Sequence, residues 1–394
     1  MLTSTEIRCR QLGCLLGALL SVAQLSCAQN TPIRPHGRLP VAAFYDVPAD
    51  MRSATPGTLI RSEEFDSYTL PYGTTATRIL YHSISGRGAD AAVSAVVIVP
   101  AGPPPAGGWP IIAWAHGFRG IARDCAPSLL EDLGEQSYFS MLLNLGYAVV
   151  ATDYAGLGTN SRFAYFDLKS NAADVVNAIA AARSAVSNLG KQWMVMGDDE
   201  GGSVSVAVGE RERNSNDAGF LGSVALGGVM DGRGIAGRLT QTFPARLIYV
   251  AAGISSVYPQ FSARDILVNS ALPFYEAAGK SCESNSQLPA LEIAQVLKPG
   301  WEQNRYAREY FAANTLGQVR MSQPLLVLAS ESDALLPVAM TAQTVARLCK
   351  QGDHVLFYKY DDRSSHALLG DSVRDQLSWI QERFSGKMPA ENCE

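Results

Sequence analysis

The apolar run Trp193-Met194-Val195-Met196 stops at Gly197, and Asp198-Asp199-Glu200-Gly201-Gly202 leads into a helical pattern from Ser203 to Arg213. A short apolar run that ends at a glycine reads as a buried strand. A strand that passes into a helix within a few residues needs small side chains around the turn. Strand and helix approach closely there, and the residue at the tip is strained. This strand–turn–helix grammar is that of the nucleophile elbow G-x-S-x-G. Here the tip is Asp199, where the motif ordinarily carries serine.

The chain has 394 residues, 47% hydrophobic and 18% charged, enough for a large core. A formal net charge of −5 and the lack of any basic cluster argue against a nucleic-acid partner. Residues 1–28 read as a secretory signal peptide. Arg8 and Arg10 form its basic start, Leu12 to Leu20 its apolar core, and Ser26-Cys27-Ala28 its cleavage site. Lipid modification of Cys27 is the weaker option, because Gln24 stands where an aliphatic residue is usual. Losing Glu6, Arg8 and Arg10 takes the formal charge from −5 to −6. The expected destination is secreted or periplasmic. Four cysteines then remain, Cys125, Cys282, Cys349 and Cys393, and an even count in an exported chain favours two disulfides with three pairings open. No C-x-x-C or His/Cys cluster suggests a metal, and no motif calls for a cofactor.

Residues 29–57 are rich in turn formers and read as a surface wrap. Strands are expected at Thr58–Phe65, Thr75–Ile84, Ala92–Val99, Ile111–Ala115, Tyr147–Thr152, Leu221–Leu226, Pro324–Ala329 and His354–Tyr360. Helices are expected around Tyr138–Leu145 and at Asn171–Leu189, Val338–Cys349 and Ala367–Phe384. The alternation breaks between roughly 230 and 320, far beyond a usual α/β connection. That interval carries Phe243, Tyr249, Tyr258, Phe261, Phe274, Tyr275, Tyr306 and Tyr310. It reads as an inserted, mainly helical cap, its aromatics forming cap core rather than touching substrate. The expected organisation is signal peptide 1–28, core 29–229, cap 230–320 and core again 321–394. Alternating strands and helices imply an α/β fold, a mostly parallel sheet covered by helices, with ligands beyond the carboxyl ends of the strands.

An α/β-hydrolase places nucleophile, acid and histidine in that chain order. Asp199 holds the first position. Asp333 follows the penultimate strand in Ser330-Glu331-Ser332-Asp333, with Glu331 as its rival, and His366 follows the last strand. Backbone N–H groups of Phe118 and Glu200 are the expected oxyanion hole. His116 reads as a structural residue of the His-Gly-Phe turn.

These pieces, with Phe44-Tyr45, Pro56-Gly57-Thr58, Ala113-Trp114-Ala115-His116-Gly117, Cys125-Ala126-Pro127-Ser128 and Ala151-Thr152-Asp153-Tyr154 before Gly156-Leu157-Gly158, resemble the secretory lipase family of fungi and bacteria. The likeness runs from about residue 42 to the C-terminus. It implies a capped α/β-hydrolase acting on esters of lipophilic compounds, with triad positions at Asp199, Asp333 and His366. It also implies the disulfides Cys125–Cys282 and Cys349–Cys393. That family's elbow usually reads Gly-His-Ser-Gln-Gly-Gly, so three positions differ here.

A carboxylate is ionised near neutral pH and needs no base to become a nucleophile. Attack on an ester gives a mixed anhydride, an uphill step. Attack on an sp3 carbon gives an alkyl ester that His366 can help water to hydrolyse. Epoxide hydrolases and haloalkane dehalogenases are similar in having a Gly-x-Asp-x-Gly-Gly elbow and often a His-Gly-Phe turn. A third route makes Asp199 or His366 a base for direct attack of water. The sequence therefore points first to a hydrolase of a small lipophilic molecule, on an ester or else on an epoxide or carbon–halogen bond. The other class is a non-catalytic binder of an apolar ligand on the same scaffold. An apolar cap face would also allow transient contact with a lipid interface.

Overall fold

The computed structural model describes residues 37–215, 217–229, 231–283, 289–361 and 365–393, with only the backbone of Ser365 and His366. The expected signal peptide, with its expected cleavage site and Cys27, lies outside the described residues. Among those described, one sheet has nine strands in the order β1-β2-β3-β5-β4-β6-β7-β8-β9. They are β1 (Leu59–Glu64), β2 (Thr75–Ile84), β3 (Asp90–Val99), β4 (Trp109–Ala115), β5 (Ala148–Thr152), β6 (Leu189–Asp198), β7 (Phe220–Leu226), β8 (Leu325–Ser330) and β9 (Val355–Tyr360). β1, β2 and β3 pair antiparallel, as does β3 with β5, and every later pairing from β5 to β9 is parallel.

The apolar runs alternate between two faces, as strand geometry requires. Ile112, Trp114, Met194, Met196, Val224, Leu226, Leu326 and Leu328 share one core cluster. It packs on α1 (Gln136–Asn144) through Phe139 and Leu142. On the same side lie α10 (Ser365–Asp371) through Leu368 and α11 (Val373–Phe384) through Trp379 and Ile380. The alternate residues Ile111, Ala113, Val195, Ala225 and Val327 belong to a second cluster. That face meets α2 (Leu168–Ala185) and α3 (Glu200–Glu212) through Ala178, Val204 and Val208. Both faces are covered, so the central strands read as apolar runs rather than as alternating ones.

Between β7 and β8 the described chain forms α4 (Gly232–Thr242), α5 (Leu247–Val257), α6 (Leu272–Ala278), α7 (Ile293–Val296) and α8 (Arg305–Ala313). The alternation resumes with α9 (Val338–Lys350). The structure joins Cys125 to Cys282 and Cys349 to Cys393, with Cα–Cα distances of 4.9 and 5.3 Å. The first bridge ties this inserted segment to the loop after β4. No described helix is long and apolar enough to cross a membrane.

Three expectations change. The helix expected to run to Leu189 ends at Ala185, because Val186 turns extended and Leu189 already belongs to β6. The last helix is two, broken at Ser372, whose hydroxyl bonds back to the carbonyl of Leu368 at 2.6 Å. The segment before Gly57 is not all surface wrap. Tyr45 is fully buried, and its hydroxyl meets the Ser128 hydroxyl at 2.8 Å.

Candidate functional site

Every strand from β5 to β9 runs in one direction, so the carboxyl ends of β4, β6, β7, β8 and β9 face the same edge. Register sets Ala115 beside Gly197 and Asp198 beside Leu226. The chain leaves that edge at His116, Asp199, Gly227 and the Asp333 loop.

Asp199 has φ 53° and ψ −119°, outside the regions open to ordinary residues, and caps α3. Such strain costs about 1–3 kcal/mol and persists only where packing enforces it. The packing is tight. A Cβ on Gly201 would overlap the carbonyl oxygen of Ala115, and one on Gly197 would overlap that of Gly201. The small residues let β4, β6 and α3 touch backbone to backbone, which drives the Asp199 side chain out at the tip. There the backbone N–H of Phe118 donates to Oδ2 of Asp199 at 3.3 Å. Glu200, the other expected donor residue, opens α3.

The acidic neighbours of Asp199 are buried, Asp198 with 7% and Glu200 with 4% of its surface exposed. Burial first, and then the charge of Asp199, push Asp198 well above the usual carboxylate range. Its Oδ1 has no hydrogen-bond partner among the described residues. Burial raises Glu200 to about 8, although its Oε1 accepts the N–H of Phe166 at 3.0 Å. Both neighbours are thus held toward their neutral forms at neutral pH. Three adjacent carboxyl groups need not act as three charges.

Asp333 is half-buried, and its Oδ1 accepts the N–H groups of Leu335 and Leu336, each at 2.8 Å. Burial raises its pKa, the two N–H groups lower it, and Asp199 raises it again across the site. Its rival Glu331 is exposed. His366 lies in the first turn of α10, and its side chain is outside the described residues. His116 is 4% exposed, and its Nδ1 donates to the Gly117 carbonyl at 2.7 Å. Burial lowers its pKa to about 4. Its ring packs against that of Tyr154, centroids 4.3 Å apart and tilted by 32°. Asp153 anchors the neighbouring turn, accepting from Ser94 and Ser128 hydroxyls, each at 2.6 Å.

Three residues beside the elbow fall outside the expected site set. The Tyr165 and Tyr249 rings pack 4.7 and 4.9 Å from the Phe118 ring. Tyr249 comes from α5, so one aromatic of the 230–320 interval reaches the site instead of serving only as local core. Arg246, at the turn before α5, lies over the Phe118 ring at 5.7 Å and is an electrostatic neighbour of Tyr165. Burial pulls its pKa down, but Tyr165, Asp199 and Glu200 outweigh burial and leave it raised. Among the described residues no group of three His, Cys, Asp or Glu side chains could hold a metal ion.

The family model described as "Secretory lipase" matches residues 133–392. The chain is 23% identical to "Lipase 9" of Candida albicans over 421 residues, covering 95% of this chain and 88% of that one. It is 29% identical over 126 residues to a "Probable inactive lipase" of Mycobacterium tuberculosis, 29% of this chain and 28% of that one. Among solved structures, Candida antarctica lipase A in its closed state superposes with a TM-score of 0.78 at 17% identity. It covers 91% of this chain and 89% of its own. With the elbow geometry and the parallel strand ends, these likenesses identify the chain as a lipase/esterase-like α/β-hydrolase that belongs to the secretory lipase family.

Proposed function

We propose that the chain is an exported hydrolase of a small lipophilic molecule whose chemistry passes through a covalent ester on Asp199, with Asp333 and His366 completing the catalytic set. The observation that carries this reading is the seat of the Asp199 carboxylate. Oδ2 accepts the Phe118 N–H, so one oxygen occupies an oxyanion-hole donor and the other stays available for attack. The 230–320 interval acts as a cap over the strand ends, and its apolar face allows transient contact with a lipid interface.

The occupied donor bears on the substrate. A substrate ester would need that N–H for its own carbonyl oxygen and would load Asp199 as a mixed anhydride. An epoxide or haloalkane needs no such donor for the first step, because attack falls on an sp3 carbon. The alkyl ester left on Asp199 then keeps its carbonyl oxygen at Phe118, where the negative charge develops when water attacks. His366, oriented by Asp333, removes the proton of that water. Family membership favours an ester substrate, and the seat of Oδ2 favours an epoxide or carbon–halogen bond.

Turnover in heavy-oxygen water over panels of aryl esters, epoxides and haloalkanes, followed by mass analysis of the Asp199 peptide, tests the reading. Label in the Asp199 carboxyl group is expected, and the panel names the bond class. Turnover without label would make Asp199 a base or bystander.

A second reading, a non-catalytic binder of an apolar ligand, is favoured by the loss of the elbow serine and by the inactive relative's name. It predicts ligand binding with no turnover on any panel.

A further inference from the structure

When Asp199 forms its ester, the charge it held departs on the displaced group, which must leave from a site already lined by carboxyl groups. The helical segment between β7 and β8 delivers a guanidinium to this place. The Arg246 Cζ lies 5.7 Å from the Phe118 ring centroid and 5.8 Å from that of Phe243. Its charge also acts on Tyr165, whose ring packs 4.7 Å from Phe118. Phe118 therefore touches Arg246 and Tyr165 with its ring and Asp199 with its N–H. A guanidinium carries five donors, and the nearby Asp199 carboxylate acts on this one across the site. Arg246 also borders a cavity of 880 Å³ whose lining mixes Phe243, Leu291 and Ile293 with Thr240, Gln241 and Glu292.

We infer that Arg246 and the Tyr165 hydroxyl form an anion subsite beside the elbow, which takes up the small monoanion displaced as Asp199 forms its ester. The inference rests on the reading of Asp199 as nucleophile. In the step, a bond forms between the free Asp199 oxygen and carbon. The bond from that carbon to its leaving atom breaks, and the electron pair departs on that atom. For a haloalkane the anion is the halide, which departs free; an epoxide's alkoxide stays bonded to the alkyl group and takes up a proton there, and an ester would load Asp199 as a mixed anhydride instead of an ester. Water then cleaves the Asp199 ester, restoring the carboxylate and releasing one proton, so no oxidant or reductant takes part. Charge-assisted bonds to guanidinium are among the stronger hydrogen bonds, and Lys keeps the charge but loses the fork.

The test uses the mature chain, with bromide and butanoate as probes and calorimetry as the readout. Asp199→Asn, which removes the competing charge, is expected to bind both anions. Arg246→Gln in that background should weaken binding at least about tenfold, with Arg246→Lys in between. Far-UV circular dichroism and melting curves check that each variant folds. In the wild-type chain, Arg246→Gln should slow turnover more for poor leaving groups than for good ones, a dependence that loss of packing alone would not produce. Anion binding that Arg246→Gln leaves unchanged, or none in Asp199→Asn, overturns the subsite. Absence of heavy-oxygen label, with anion binding still dependent on Arg246, instead overturns the nucleophile and leaves the subsite standing.

Discussion

The N–H of Phe118 and the Oδ2 of Asp199 stand 3.3 Å apart, which seats the side chain at the elbow's tip against a donor that a serine would leave open. Replacing Asp199 by serine should therefore both supply an alkoxide precursor and vacate the donor. Asp199→Ser is expected to gain aryl-ester hydrolysis, whereas Asp199→Asn should lose turnover on every substrate by about 10³-fold or more. Initial rates with a chromogenic short-chain ester measure both. No gain in Asp199→Ser would mean that the pocket no longer accepts an ester.

Glu200 stands where the family's elbow usually has glutamine, and its raised pKa shows the cost of that exchange. Its folded value of about 8 exceeds its ordinary 4.5, so the native state holds the proton more tightly than the unfolded chain does. Stability from this group is fully present below about pH 4.5 and is lost as pH rises through 8. The loss is on the order of 5 kcal/mol. Glu200→Gln keeps an acceptor for the Phe166 N–H and removes the proton. The melting temperature of the variant minus that of the wild type should rise steadily from pH 5 to pH 8 and then level off. A flat difference would mean that Glu200 is ionised throughout.

Much of this was legible in the chain because the central strands are buried on both faces, and runs such as Met194-Val195-Met196 then announce themselves. The elbow was legible for a related reason, since close backbone contact leaves Gly197 and Gly201 little choice. Arg246 was not legible. It lies 47 residues beyond Asp199 in a helical segment without a local motif, and only the fold of that segment brings it to Phe118. The protonation of Glu200 was also out of reach, because it depends on burial by residues distant in sequence. The break at Ser372 was missed because serine is an ordinary helix residue until its hydroxyl finds a carbonyl.

The glycines of two helices should respond oppositely to alanine. At Gly201 the new methyl group meets the Ala115 backbone, which cannot give way without opening the sheet. Gly201→Ala should fail to accumulate as folded protein. At Gly237, within α4, nothing lies within 4 Å of the place a methyl group would take, and the residue is exposed. Gly237→Ala should raise stability by about 0.5–1 kcal/mol through helix propensity and a less flexible unfolded chain. Chemical denaturation of the soluble variant and expression of the other decide the pair.

His116 and His366 are both near the elbow in sequence logic, and pH separates them. Burial depresses His116 from 6.5 to about 4, so it stays neutral in the native state while the unfolded chain still binds a proton. Its contribution is complete above pH 6.5 and is lost as pH falls through 4, the reverse of Glu200. His116→Asn offers an amide donor toward the Gly117 carbonyl but loses the ring contact with Tyr154. It should cost roughly 1–2 kcal/mol and flatten the acid side of the stability curve. A group that stays neutral between pH 5 and 8 cannot produce a rate limb there. Any limb in kcat/KM near pH 6–7 should therefore survive in His116→Asn and vanish, with turnover, in His366→Asn. Disappearance of the limb in His116→Asn would transfer the role of base from His366 to His116.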